Sequence, residues 1–484
     1  MVSGIKVDQW PKNPIDFEQD SELLMKEAQI KEEKEVKDKE LVPVDKTGGF
    51  SKSHKVYQEG MKPWDAYLTK VDLRNGIYGD YVFYKMQMLF DSVRELYIVF
   101  TRYGRIGEDG MNQRTPFNNI EEAKKDFCSI FKSKTGNDFN DLENFTRVKK
   151  KYDIAKVNYT TVSHQDYLAP FDYEQAPKSK TQKEVRDLFE EISNVTMYQR
   201  AMNQLGLDNE MLPISGITKE IIQKAMGILN QIRVKVDEDS EIAKKGFQAD
   251  LDALTAVREK QTELSSRFYE LIPLSKYKNQ IAPPLNTIQA IKTMYDDLSH
   301  LSNIEHASKL LLGALYRQLE VNPVDYIFQA LSAKVDFVSE SYPEYELLHK
   351  YIENTNQGTI NYDTHKVKIF KIERYGELER SEEFNTNNFS EEEFGEKANR
   401  RLLFHGSSLV NYIGILSQGL RIAPPEAPTT GFMLGKGVYF ADMFSKSHAY
   451  ASNRFGSGAQ SSILLMCEVA LGNPKKFFVP EYVE

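Results

Sequence analysis

The hydrophobic period changes twice along this chain, and those two changes limit the folds it can reach more than any single residue does. Between Lys55 and Val157, aromatic and β-branched runs such as YGDYVFYKMQMLF and RELYIVFTRYGRIG are separated by turn signals at Asn75-Gly76 and Tyr103-Gly104. That pattern predicts a small antiparallel sheet over 54–157. Within it, Ile120, Phe127, Ile130 and Phe131 share one helical face that can cover the sheet. A polar linker over 158–178 carries Pro170 and Pro177, after which the period becomes that of helices. Val185, Leu188, Phe189 and Ile192 follow i, i+3, i+4, i+7 spacing, as do Ile222, Ala225, Met226 and Leu229. Further helices are expected at Asp250–Tyr269, Thr287–Leu298 and Glu305–Leu319, closing a bundle over 179–320. Strand-like runs return over 321–484 in VKIFKIERYG, KGVYFADM and SILLMCEVALG, with a helix at Asn411–Gln418. The expected fold is therefore multidomain α+β: a small antiparallel sheet with a helix, an all-α bundle, then an α+β domain with a split antiparallel sheet. Residues 1–50, rich in charges of both signs and poor in aromatics, read as a disordered or partly helical tail.

With 484 residues, the chain has material for about three domains of about 150 residues each. Its two cysteines, Cys128 and Cys467, lie far apart, so neither a disulfide framework nor a zinc finger is expected, and no metal is called for. No apolar run approaches the roughly 20 residues of a membrane span, and MVSGIKVDQW lacks a signal pattern, so no membrane role is expected. The formal charge of −9 disfavours nucleic acid as a partner of the whole chain. Between His54 and Val157, however, 18 Lys and Arg stand against 15 Asp and Glu, which suits a small phosphate-contacting module on an acidic body.

The chemistry concentrates in Arg401–Tyr450, where His405-Gly406-Ser407 is followed by the run GKGVYFAD with Tyr439, and by SKSHAY ending in Tyr450. No Gly-x-Gly-x-x-Gly after a first strand and no P-loop is present, which removes support for hydride or phosphoryl transfer. This stretch closely resembles the NAD-binding half of the DNA-dependent poly(ADP-ribose) polymerases. The resemblance implies NAD+ as donor substrate, cleaved at its nicotinamide–ribose bond through an oxocarbenium-like state. It further implies that the Gly406 backbone and the Ser447 hydroxyl hold the nicotinamide carboxamide, and that Tyr439 and Tyr450 sandwich the ring. His405 would bond the adenosine ribose and Ser407 the adenosine side. Arg421 would lie near the adenine end beside the loop APPEAPTTGFMLGKG, Lys446 near the acceptor, and Gly414 within the same cofactor set. His405 and Tyr439 carry the catalytic assignment.

Two other segments resemble the same family. YGRIGEDG, FCSIFKSKTGNDF and KKKYDIAKV resemble its WGR domain, with Tyr103 in place of the naming tryptophan and with Gly104 and Arg105 keeping their types. Tyr103 and Arg105 are thereby implied in sugar and phosphate contact with DNA. KSKTQKEVRDLFEEI, SSRFYELIP and Pro283–Leu285 resemble the helical regulatory domain, a bundle that blocks NAD+ until DNA loosens it. The family's catalytic glutamate sits on a strand after a long loop beyond the equivalent of EVALGN, whereas this sequence ends at Glu484, with Glu481-Tyr482-Val483 as an early echo. The chain is expected to be a C-terminally incomplete polymerase.

The expected function is a nuclear ADP-ribosyltransferase activated by DNA strand breaks, acting in DNA repair on acceptor proteins including itself. One alternative is a DNA-end sensor or scaffold with a vestigial NAD+ pocket, which the missing glutamate favours. A single-unit transferase that ignores DNA is another, and the two accompanying modules count against it.

Overall fold

The computed structural model describes residues 42, 44–60, 62–154, 170–207, 219–248, 250–277, 280–331, 333–356, 360–361, 366–388, 399–422, 437–451 and 461–477. Its first layer is a six-stranded sheet of β1 (His54–Val56), β2 (Asp65–Asp72), β3 (Asp80–Asp91), β4 (Leu96–Arg105), β5 (Met111–Phe117) and β6 (Asp153–Ile154). The order is β5-β4-β3-β2-β6, with β1 also on β3, and every pairing is antiparallel. The period-2 rule is used on both faces. Ala66, Leu68, Tyr84, Met86 and Met88 pack against helix α1 (Ile120–Thr135), while Tyr67, Val71, Tyr81 and Phe83 turn to the opposite face and join the core of the bundle. Asn119 caps α1 by accepting from the Glu121 N–H, and Gly136 ends it in the left-handed region at φ 80°.

Two expectations for this layer are corrected. Tyr103-Gly104 is not a turn; both lie inside β4, opposite Tyr84 and Phe83. Glycine is needed at 104 because a Cβ there would come 2.8 Å from the Cα of Gly110, and the reversal itself is made by Gly107 and Gly110 at φ 91° and 70°. The tail also stops earlier than residue 50. Val42, Val44 and Phe50 pack beneath Leu89 and Phe100, and the buried Asp45 carboxylate meets Lys85 at 3.1 Å and Arg102 at 3.2 Å.

The second layer is the bundle: α2 (Lys183–Ile192), α3 (Val195–Leu205), α4 (Lys219–Ala243), α5 (Leu251–Leu271), α6 (Ile288–Tyr316) and α7 (Pro323–Ala330). Side-chain caps fix its starts. Asn194, Asp250, Thr287 and Asn322 each accept from a first-turn N–H, and Pro323 follows Asn322 at the first helical position. The two helices expected at Thr287–Leu298 and Glu305–Leu319 are one, because Leu298, Leu301 and Ile304 carry the apolar stripe through the presumed gap and no Gly or Pro interrupts it.

The third layer contains β7 (Ala333–Val338), α8 (Tyr345–Asn356), β8 (Ile369–Arg374), α9 (Glu377–Asn388), β9 (Arg400–Gly406), α10 (Tyr412–Gln418), α11 (Phe444–Ala451) and β10 (Leu464–Ala470). Among the described residues its strands form two separate antiparallel ladders, β7–β8 and β9–β10. KGVYFADM does not make the expected strand: its described part, from Gly437 on, contacts β9 through one Phe404–Ala441 bridge, after which the chain turns into α11.

Candidate active site

Strand β9 and helix α11 hold most of the residues singled out in the sequence. Phe404, the anchor of the strand, is buried, stacks on Tyr351 at 5.1 Å with an 8° interplanar angle, and meets Phe444 edge-on. The Tyr351 hydroxyl donates to the Leu402 carbonyl at 2.6 Å, so one aromatic from α8 holds two successive side chains' worth of β9. On the other edge, the Phe404 N–H and carbonyl exchange hydrogen bonds with Ala441 at 2.7 and 2.9 Å. The next residue, His405, has its Nδ1 at 2.9 Å from the Tyr439 carbonyl; a carbonyl only accepts, so Nδ1 carries the proton there.

Gly406 is where α11 presses against β9. A Cβ at this position would lie 1.9 Å from the Ser447 carbonyl oxygen, so the protein's own packing requires glycine, independently of any ligand. Ser447 is buried, and its hydroxyl donates inward to the Phe404 carbonyl at 3.0 Å. In that orientation its two lone pairs can accept from a carboxamide NH2, whereas donating to a carboxamide oxygen requires the proton to turn away from Phe404. Tyr439 and Tyr450 are 41% and 69% exposed, an uncommon cost for two large rings beside a strand end, and one that suits a flat aromatic ligand. Lys446 is exposed on α11, and Arg421 is exposed just after α10. Residues 423–436 of the loop expected to line the cleft lie outside the described residues, as does Glu481.

Ser407 connects the site to the bundle. Asn411 donates from Nδ2 to the Ser407 Oγ at 2.9 Å, and its Oδ1 accepts from Asn303 Nδ2 of α6 at 2.9 Å, with His300 Nδ1 at 3.3 Å. Gly414 belongs to this contact rather than to the open side of the site. It is buried in α10, and a Cβ there would stand 3.2 Å from Asn303 Oδ1. A turn further along α6, His306 Nε2 lies 3.0 Å from the Ser417 Oγ. Burial raises the Tyr412 phenol far above its usual range, so this ring stays neutral and its hydroxyl is tied to the Ile463 carbonyl. Burial and then Asp442 raise the Tyr351 phenol.

The two residues expected at DNA are placed differently from each other. Tyr103 is half-buried and stacks on Tyr84 at 5.7 Å and 11°. Arg105 reaches the bundle instead, where its guanidinium donates to the Gln280 carbonyl at 3.2 Å. Sequence reasoning missed Tyr351, Asn303, His300 and Asn411. Each has a partner distant in the chain, Asn411 beside its local bond to Ser407, and no local pattern marks it.

Family models match in three consecutive segments: the WGR domain over 64–146, the poly(ADP-ribose) polymerase regulatory domain over 179–328, and the poly(ADP-ribose) polymerase catalytic domain over 342–484. The chain belongs to the poly(ADP-ribose) polymerase family. Its relatives include poly(ADP-ribose) polymerase 1 of Danio rerio, 35% identical over 89% of this chain and 39% of the relative. Poly(ADP-ribose) polymerase 2 of Arabidopsis thaliana is 32% identical over 88% of this chain and 63% of the relative. Its counterpart in Zea mays is 32% identical over 93% and 66%. The chain thus spans from about two fifths to about two thirds of the length of these polymerases. Among the described residues, no helix is long and apolar enough to cross a membrane.

Proposed function

We propose that this chain is an NAD+-dependent ADP-ribosyltransferase that builds poly(ADP-ribose) on proteins, itself included, when its WGR domain engages broken DNA in the nucleus. The observation that carries this reading is that His405 and Gly406 of β9 meet the Tyr439 carbonyl and Ser447 of α11, with Tyr450 exposed on the same helix. NAD+ is the substrate. The exposed rings of Tyr439 and Tyr450 offer faces to the nicotinamide, and stacking there holds the departing base while positive charge grows on the ribose. His405, its Nδ1 proton committed to the Tyr439 carbonyl, is left with Nε2 as acceptor for a ribose hydroxyl. Support for DNA control comes from the shared core of sheet and bundle and from the reach of α6 to Asn411, which together join the WGR domain to the site through packed structure.

The test is incorporation of labelled NAD+ into protein with and without nicked, 5′-phosphorylated duplex. Labelling that rises at least about tenfold with DNA is expected. Labelling that is absent while DNA still binds would replace this reading with the sensor one.

A further inference from the structure

We propose that Asn411 is a positioning residue that sets the polarity of Ser407, leaving the serine's proton free to donate to an acceptor oxygen on the adenosine half of the substrate. The inference rests on the reading of this site as an NAD+ site and deepens it. A serine hydroxyl has one proton and two lone pairs. At Ser407 one lone pair is taken by the Asn411 Nδ2–H at 2.9 Å, so that contact does not consume the proton. The amide of Asn411 points this way because its other end is claimed from the bundle. Its Oδ1 accepts from Asn303 Nδ2 at 2.9 Å and faces His300 Nδ1 at 3.3 Å. Flipping the Asn411 amide alone would set Nδ2 against the Asn303 donor, so its polarity reverses only if Asn303 flips with it, and Asn411 is buried, so water does not offer an easy replacement. The long helix α6 therefore does more than lie beside the site: it holds the side chain that decides whether Ser407 presents a donor or an acceptor.

Asn411→Asp is the informative change, because it has nearly the same shape and keeps an acceptor toward Asn303 and His300. A carboxylate has no proton to give, however, so it captures the Ser407 proton and turns that hydroxyl into an acceptor only. The probes are ADP-ribose, which reports the adenosine half, and nicotinamide, which reports the other, each titrated calorimetrically into the full chain. N411D is expected to weaken ADP-ribose about tenfold and to leave nicotinamide unchanged. Ser407→Ala should cause a comparable loss, and S407A/N411D should be no weaker than S407A alone. A merely structural Asn411 would instead give additive losses, or lose both probes together, and either result overturns the proposal. So does ADP-ribose binding to N411D at parental strength. Should N411D fail to fold, Asn303→Ala in parental and S407A backgrounds replaces it: loss in the first and none in the second is expected, and loss in both overturns the proposal. A parental chain that binds neither probe would overturn the NAD+ reading itself.

Discussion

Cys467 sits on β10 opposite Leu403, where burial first, and then the Glu377 carboxylate, push its thiol up to about 11 in spite of Arg374 nearby. At pH 8 only about one Cys467 in a thousand is then the thiolate, the form that reacts. Alkylation of this residue by iodoacetamide in the folded chain should climb about tenfold per pH unit up to about 11. Mass spectrometry of the modified peptide checks this, and a rate at pH 8 equal to that of a free thiol would refute the burial argument. The sign for stability follows: the folded state holds this proton more tightly than the unfolded one, so the contribution of Cys467 falls as pH rises from the ordinary thiol range toward 11. At the same scale, the sequence shows His405-Gly406-Ser407 plainly because the three are contiguous. It does not show why Gly406 is glycine, since the atom that excludes a side chain there is a carbonyl of Ser447. Nor does it show Asn411, whose partners in α6 are 108 and 111 residues away.

Helix α6 shows how an element can be legible in part. Apolar spacing reveals both of its ends, yet the polar run around Ser299, Ser302 and Asn303 reads as a break, when in fact His300 and Asn303 within it reach Asn411 at the start of α10. A side chain can be polar because it meets water or because it meets another polar side chain, and periodicity does not separate the two. Strands β2 and β3 read well for the opposite reason: alternation survives on both faces, one covered by α1 and the other by the bundle. KGVYFADM misleads because an aromatic run that meets β9 at a single backbone bridge has strand composition without a strand ladder. Continuity of α6 is open to a direct test in Ser302→Pro. In an uninterrupted helix this removes a backbone hydrogen bond and drives the ring against the preceding turn, a loss of about 3 kcal/mol or more. A large drop in melting temperature with reduced helical circular dichroism is expected. Melting within about 2 °C of the parent would mean that the helix is broken where the sequence suggested.

Across the whole molecule, sheet and bundle behave as one body because their contact is built like an interior. The Tyr81 hydroxyl donates to the Leu274 carbonyl at 2.8 Å and accepts from the Leu274 N–H at 3.1 Å, and the Thr69 hydroxyl donates to the Glu270 carbonyl at 3.2 Å. At the centre, Arg147, in the segment between α1 and β6, grips the Glu270 carboxylate of α5 through Nε at 3.1 Å and Nη2 at 2.8 Å. The two partners are unequal. Only 3% of the Glu270 side chain is exposed against 39% of Arg147, and burial raises the Glu270 carboxyl even though Arg147 pulls it down. Removing the carboxylate lets Arg147 turn to water, whereas removing the guanidinium leaves a buried negative charge with only Arg267, 4.0 Å away, as its cation. Arg147→Ala should therefore cost about 3 kcal/mol and Glu270→Ala only about 1. The double variant should be more stable than R147A, since no unpaired charge is left inside. The pH dependence has a definite sign. A carboxyl whose folded value lies above its unfolded one contributes fully at low pH and loses that contribution as pH rises through the folded value, and deleting Arg147 lifts the folded value further. The deficit of R147A relative to the parent should be small near pH 4 and grow as pH rises. Melting curves of the three variants at several pH values decide it. Additive losses, or an R147A as stable as E270A at neutral pH, would mean that the ion pair is incidental and that the apolar core alone joins the six-stranded sheet to the bundle.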